Sequence, residues 1–259
     1  MPGKFRVEEG EPDYLLSVTT VPELAVPMSE PVRSTYNSRF YMEEGREVQI
    51  IRFEKDHAPF VRVEEPDRFT TTVQIKESYL SYYCWTLLLS LLRIPERVME
   101  QGATFLHSSF VNRNGEALLF TAKKQTGKST QAALWNRYRG TETANGDRAL
   151  LFEENGQWFA ASTPFAGTSR ISENRILPLK AVVVLDRAEN INSEKPVIEK
   201  AGVQEAVRAL LDGCTFRAEN AEDVEKILSM SERLIEKVPF WKLYATMDEA
   251  SVQILEGKL

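Results

Sequence analysis

Nine consecutive residues near the middle of the chain have the types and the spacing of a phosphate-binding loop. They are Ala122, Lys123, Lys124, Gln125, Thr126, Gly127, Lys128, Ser129 and Thr130. This stretch fits the P-loop pattern G-x-x-x-x-G-K-[ST], except that Ala122 stands where the first glycine is expected. The N–H groups of such a loop surround phosphates at the start of a helix, where the helix dipole favours an anion. The pattern therefore predicts that this loop binds a nucleotide.

Two side chains of the loop have distinct expected roles. Lys128 supplies a positive charge at the β and γ phosphates, and Ser129 places its hydroxyl on the magnesium ion that bridges them. Ala122 costs about 1 kcal/mol or more only if its φ is positive. We predict a negative φ at Ala122, with Gly127 providing the close approach of backbone to phosphate.

Phosphoryl transfer also needs a carboxylate that holds magnesium or accepts the proton of the attacking hydroxyl. The sequence offers two candidates. Asp186 ends the apolar run at 181–185 and resembles a Walker-B acid, whereas Asp147 follows a predicted short strand at 141–144 and an Asn145-Gly146 turn. By pattern alone, a solvated aspartate after a turn explains Asp147 equally well.

Two further features are candidates for the same site. His107 lies on the predicted strand that precedes the strand of the loop, and by pattern alone a hydrogen-bonded core histidine is the more common case. The stretch 162–170 is rich in small and hydroxyl residues and ends in Arg170. Its composition fits a surface loop and an anion-binding loop equally well.

The elements that must position these residues alternate between strands and helices. Strands are predicted at 103–111 and 117–121 before the loop, and a helix at 129–138 after it. Further strands are predicted at 149–152, 158–161, 181–185, 241–245 and 251–255, and further helices at 203–211 and 221–237. This order predicts an α/β fold, with a mixed sheet core and flanking helices.

The first part of the chain has a different pattern. Strands are predicted at 48–53, 60–63 and 70–73, and a buried helix follows at 80–92. We therefore divide the chain into a small N-terminal α+β segment at 1–101, packed on the core, and a nucleotide-binding domain at 102–259.

Composition excludes several classes of function. The 32 Lys and Arg against 38 Asp and Glu give a net charge of -6, so the chain lacks the basic surface that nucleic acid requires. Its two cysteines and two histidines make a zinc site improbable. The most apolar stretch, at 79–92, is too short to span a bilayer. We expect a soluble, cytoplasmic protein without a membrane partner.

Several motifs, taken in order, resemble one family. They are Leu106-His107-Ser108-Ser109, the loop 122–130, Asn145-Gly146-Asp147-Arg148, Ser162-Thr163-Pro164-Phe165-Ala166-Gly167-Thr168-Ser169, Pro178-Leu179-Lys180-Ala181 and Val238-Pro239-Phe240-Trp241-Lys242-Leu243. This succession resembles the C-terminal catalytic domain of HPr kinase/phosphorylase and of HPr-kinase-like proteins. That group shares a nucleotide-binding core with ATP-dependent phosphoenolpyruvate carboxykinases, so the resemblance implies an HPr-kinase/carboxykinase-like fold.

The resemblance implies roles for four residues. His107, Lys128 and Asp147 fall on the family's catalytic positions, while Ser129 and Asp147 fall on its magnesium ligands. It therefore favours Asp147 over Asp186. HPr kinases proper have a pair of aspartates at this motif, and Gly146 replaces the first. A separate helical substrate-contacting motif is not recognisable, so we do not extend the resemblance to phosphorylase activity or to HPr itself as substrate.

The leading hypothesis is an ATP- and Mg²⁺-dependent kinase that transfers the γ-phosphoryl group to a hydroxyl, such as a serine of a small protein or peptide. The alternative is an ATP-binding sensor or scaffold without transfer. A carboxykinase-like enzyme would require a metal-binding Lys, His and Asp set that two histidines make hard to fill. The sequence leaves open the acceptor, the choice between ATP and GTP, and whether the chain forms a homo-oligomer.

Overall fold

The structure, a computed structural model, describes residues 10–12, 14–52, 56–67, 69–82, 94–123, 125–218 and 220–259. Contacts divide the chain into two compact units, one within Val7–Ile94 and one comprising Pro95–Leu259. We call the second the core unit. Its boundary precedes the one predicted at 101/102, because helix α1 (Ile94–Glu100) buries Met99 in the core unit. Packing of the N-terminal segment on the core stays a prediction.

The N-terminal unit contains a sheet of six described strands. They are β1 (Leu15–Val21), β2 (Arg33–Ser34), β3 (Ser38–Glu43), β4 (Arg46–Arg52), β5 (Pro59–Asp67) and β6 (Thr70–Lys76), in the order β1-β6-β5-β4-β3-β2. Alternate residues of β6 are buried, as one covered face requires. The predicted strands are confirmed, except that Phe53, the last residue of the strand predicted at 48–53, lies outside the described residues. A 3₁₀ helix (Glu77–Tyr82) begins the region predicted as a helix, and residues 83–93 lie outside the described residues.

The core unit contains a mixed sheet of eight described strands. They are β7 (Thr104–Arg113), β8 (Glu116–Thr121), β9 (Glu142–Asn145), β10 (Arg148–Glu154), β11 (Gln157–Ser162), β12 (Ile176–Arg187), β13 (Val197–Lys200) and β14 (Phe240–Ala245). Their order is β11-β10-β7-β8-β12-β14-β13, with β9 beside β7. Strand β12 runs parallel to β8 and β14, and its first residues also pair with β11. The predicted α/β class is thus confirmed.

Helices flank this sheet because its strands are apolar on both faces. The helices are α2 (Lys128–Arg139), α3 (Val203–Gly213), α4 (Ala221–Lys237) and α5 (Glu249–Glu256). Leu119 of β8 belongs to one buried cluster with Leu210 of α3 and Ile227 of α4. The next residue, Phe120, belongs to a second cluster with Trp135 of α2. Successive strand residues point to opposite faces, so β8 is buried on both sides.

The prediction of a strand at 251–255 is wrong, because this stretch is part of helix α5. The Asp248 side chain accepts a hydrogen bond from the N–H of Ala250 at 3.1 Å and so caps the start of the helix. Ser251, Val252 and Leu255 are its buried residues, a spacing that fits one face of a helix. The Asp248 cap and the helical spacing of the buried residues together explain why this stretch is a helix.

Candidate functional site

The candidate site forms where β7 changes partners. Its first half pairs with β10, with His107 opposite Arg148, and its second half pairs with β8, with Ser108 opposite Thr121. The Thr121 hydroxyl donates to the His107 carbonyl at 3.1 Å. The end of β8 and the start of β10 therefore lie on the two sides of β7 at one level, and the segments next to them meet there.

A buried asparagine fixes the turn that leads into β10. The side-chain oxygen of Asn145 accepts from the N–H groups of Asp147 and Arg148, both at 2.8 Å. Its amide donates to the Thr163 carbonyl at 2.8 Å, and the N–H of Ser108 donates to the Asp147 carbonyl at 2.9 Å. The turn is thus anchored on both sides, and it is not the solvated turn that the pattern alone allowed.

Three basic side chains surround the Asp147 carboxylate, and the Asp147 side chain is only 18% exposed. His107 Nδ1 lies 3.3 Å from Oδ1, and Arg148 Nε lies 3.7 Å from Oδ2. Burial by itself raises the pKa of Asp147, but His107, Arg148 and Lys128 lower it further than burial raises it. The net pKa lies below the ordinary value, so Asp147 is a carboxylate at neutral pH.

Lys128 belongs to the same electrostatic site. Burial lowers its pKa, and the negative charge of Asp147 partly opposes that effect. Its ammonium group donates to the Ala122 carbonyl at 3.0 Å, so the side chain folds back along the loop. The structure therefore brings together His107, Lys128 and Asp147, the three residues that the sequence analysis placed at a catalytic site.

In the described part of the loop between β8 and α2, the left-handed residues are Gln125 (φ 65°) and Gly127 (φ 111°). Ala122 is not among the residues with positive φ, so the prediction for Ala122 is confirmed. The loop thus accommodates alanine at this position without backbone strain. Lys123, Ser129 and the other predicted loop residues lie along the loop and the first turn of α2, except Lys124, which lies outside the described residues.

The stretch 162–170 packs against this site through two glycines. A Cβ added to Gly167, which has φ 54°, would lie 2.8 Å from Asp147 Cγ. A Cβ added to Gly146 would lie 1.9 Å from Ser169 Oγ. Ser169 therefore fills the space that a side chain at position 146 would need. The stretch is part of the site, and not only a surface loop.

Asp186, the other candidate acid, forms hydrogen bonds within its own turn. Its Oδ1 accepts from the N–H of Arg187 at 2.8 Å and from the Asn190 amide at 2.5 Å. These bonds organise the start of a 3₁₀ helix, Ala188–Ile191. Asp147 interacts electrostatically with Lys128, whereas Asp186 forms its hydrogen bonds within its own turn. We therefore still predict Asp147 as the catalytic acid.

Sequence analysis missed two residues beside the loop. Arg187 donates to the Gln125 carbonyl at 3.0 Å and pairs with Glu189 at 3.0 Å. Gln131 lies in α2 and is 3% exposed. Both line an open pocket of 290 Å³, together with residues 125–130 and 245–247. The sequence did contain a signal for Arg187, because it is a cation at the end of β12, the strand beside β8, and α/β sheets bind ligands at such strand ends.

Comparisons with known proteins show a distant structural similarity. No protein-family model and no curated protein matches the sequence. Among solved structures, the chain is similar to an Hpr(Ser) kinase/phosphatase from Coxiella burnetii, with 16% identity and a TM-score of 0.28. The match covers 51% of this chain and 98% of that chain. At this TM-score the relationship is distant and does not establish an activity.

Within the described residues, we found no helix with the length and apolar character needed to cross a bilayer.

Proposed function

We propose that the core unit is an ATP-dependent kinase that transfers a γ-phosphoryl group to a hydroxyl. One observation carries this proposal. The Asp147 carboxylate contacts His107 and interacts electrostatically with Lys128. Lys128 is the first residue of a helix that follows a strand and a glycine-containing loop. A cation for phosphate and a carboxylate for metal or hydroxyl are the groups that phosphoryl transfer requires.

The residues present fit magnesium and the phosphates of ATP. Magnesium prefers oxygen ligands, and the site offers the exposed Ser129 hydroxyl and the Asp147 carboxylate, whose pKa is lowered. These two residues would hold the ion, which neutralises charge on the β and γ phosphates when bound. Lys128 would exchange its bond to the Ala122 carbonyl for one to a phosphate oxygen.

Asp147 would also orient the acceptor hydroxyl. The hydroxyl oxygen forms a bond to the γ-phosphorus while the bond from that phosphorus to the β-phosphate oxygen breaks, and Asp147 takes the hydroxyl proton. A lowered pKa makes Asp147 a weak base, so the proton moves late, once the oxygen has become acidic through bonding to phosphorus. His107 acts as a positioning residue, because it holds Oδ1 of Asp147.

We propose a serine of a small protein or peptide as the acceptor, by analogy with the family that the motifs resemble. An ATP sensor without transfer is the second candidate. It is favoured by Gly146, because Ser169 fills the space beside it and leaves Asp147 as the one carboxylate of this turn. Both hypotheses require nucleotide binding, and they differ only in turnover.

Magnesium-dependent turnover of γ-labelled ATP distinguishes them. The full chain is incubated with labelled ATP, alone and with cell extract, with and without magnesium. Label in a protein band that depends on the chain supports the kinase. Tight ATP binding without turnover in any extract contradicts the kinase and supports the sensor.

The binding site itself is tested at Lys128. Lys128→Ala should weaken ATP binding by about 2 kcal/mol, the scale of a hydrogen bond to a charged group. Calorimetry measures this change. Lys123→Ala is the matched control, since it removes an exposed lysine of the same loop and should have little effect. Unchanged ATP affinity in Lys128→Ala removes the loop from the nucleotide site.

A further inference from the structure

The pocket beside the loop extends past the residues assigned to phosphates. Its far side is formed by Thr130 and Gln131 of α2, by Arg187 at the end of β12, and by Thr246 and Met247 after β14. These elements all belong to the core unit. The same pocket also includes Gly127 and Lys128, so a nucleotide with its phosphates at these two residues could place its base on the far side. The residues there are accordingly candidates for base recognition.

Gln131 has an unusual hydrogen-bonding state. Its amide nitrogen donates to the Thr246 carbonyl at 3.0 Å, which fixes the orientation of the amide, since the reverse would oppose two oxygens. The remaining atom, Oε1, is buried and has no hydrogen-bond partner among the described residues. A buried acceptor without a donor is destabilising, so a residue that lines a pocket in this state indicates a ligand that donates.

Two other residues of the pocket suit a flat, aromatic ligand. Arg187 is half exposed, and its guanidinium is planar and stacks on rings. Met247 is 77% exposed, which is high for an apolar side chain, and its thioether adapts to aromatic surfaces. A base between them would cover apolar surface that is otherwise in water.

We propose that this pocket is the nucleoside subsite, and that it selects a base with an exocyclic amino group, which donates to Gln131 Oε1. The inference rests on the proposed function, because it requires the phosphates of the same nucleotide at the loop. Oε1 is covered, so the base must move part of the pocket wall to reach it. Arg187 lies over the base and Met247 closes the outer side.

The experiment compares ATP, ITP and inorganic tripolyphosphate by calorimetry, each with magnesium and the full chain. ITP carries a carbonyl where ATP carries the amino group, so we expect ATP to bind about tenfold more tightly. Gln131→Leu should abolish this preference and leave tripolyphosphate binding unchanged. Gln253→Leu, which changes an exposed glutamine of α5, is the matched control.

A second variant keeps the test decisive if Gln131→Leu does not fold. Arg187→Ala should weaken ATP and ITP about equally, several-fold, and leave tripolyphosphate unchanged, because stacking does not read the amino group. Equal loss for tripolyphosphate would make Arg187 a phosphate ligand and overturn its place over the base.

The two proposals fail separately. Equal affinity of the wild-type chain for ATP and ITP overturns the nucleoside subsite, while tripolyphosphate binding that depends on Lys128 still supports the phosphate site. Absence of tripolyphosphate binding overturns the phosphate site, and the subsite with it.

Discussion

Replacing Asp147 with asparagine should separate nucleotide binding from phosphoryl transfer. Gly167 packs so closely against the side chain at position 147 that a Cβ would not fit between them. Asparagine has the same shape as aspartate, so this packing is kept. The substitution removes the negative charge that His107 and Arg148 surround. The fold should therefore tolerate Asp147→Asn, while the chemistry of the site changes.

The expected size of the effect follows from the role of the group. Loss of a carboxylate that accepts the hydroxyl proton costs about a hundredfold to ten-thousandfold in rate. By contrast, ATP affinity measured without magnesium should stay equal or rise, because a negative charge near the phosphates is removed. Stability should fall by only about 1 kcal/mol, the scale of the charge-assisted contact with His107.

The assay is a single-turnover measurement with γ-labelled ATP, with calorimetry for binding. Asp186→Asn is the matched control, since the Asp186 carboxylate contacts Asn190 and a backbone N–H in its own turn. We expect the control to bind ATP and transfer phosphate normally. Normal transfer by Asp147→Asn, or loss of transfer by Asp186→Asn alone, would refute the assignment and give the role to Asp186.

Two further predictions concern packing and pH. Gly146→Ala should destabilise the core unit by about 1–3 kcal/mol, because the new methyl meets Ser169, and the double variant with Ser169→Gly should recover most of this in denaturant unfolding; an uncoupled pair would contradict the contact. Burial raises the pKa of Asp223, but two hydrogen bonds from Arg217 lower it more, so the net pKa lies below the ordinary 3.8. Asp223→Asn should therefore reduce the free energy of unfolding by about 2 kcal/mol above pH 3.8. The lowered folded pKa places this stability above pH 3.8 and removes it as pH falls through that lower value, so unfolding curves of variant and wild type should converge in acid; a constant gap down to pH 2 would contradict it.

Local rules explain why the loop was predictable. Gly127, the apolar strand before it and the helix pattern after it are all within one short stretch, and the structure has β8, the loop and α2 there. The same holds for β9, which ends at Asn145 as the turn residues indicate. A short segment that carries its own turn, strand and helix signals needs no information about distant residues.

Contacts between distant residues were not predictable in this way. That His107 lies opposite Arg148 depends on the register between β7 and β10, and the pattern alone favoured a core histidine. Arg187 and Gln131 have no motif of their own, and only the adjacency of β12, α2 and the segment after β14 brings them to one pocket. The stretch of helix α5 was predicted as a strand because the capping role of Asp248 was not recognised in the sequence.

The lowered pKa of Asp147 indicates how the proposed kinase would use this residue. A general base works best with a pKa near the working pH, whereas a metal ligand or an orienting carboxylate must be ionised throughout. The surroundings of Asp147 favour the ionised form, because His107, Arg148 and Lys128 outweigh the cost of burial. Because Gly146 and Ser169 leave no second carboxylate at the turn, the proposed kinase would use Asp147 both to hold magnesium and to orient the hydroxyl. In the proposed kinase, the site would therefore act mainly by placing charge around a phosphate, and proton removal would be its smaller contribution.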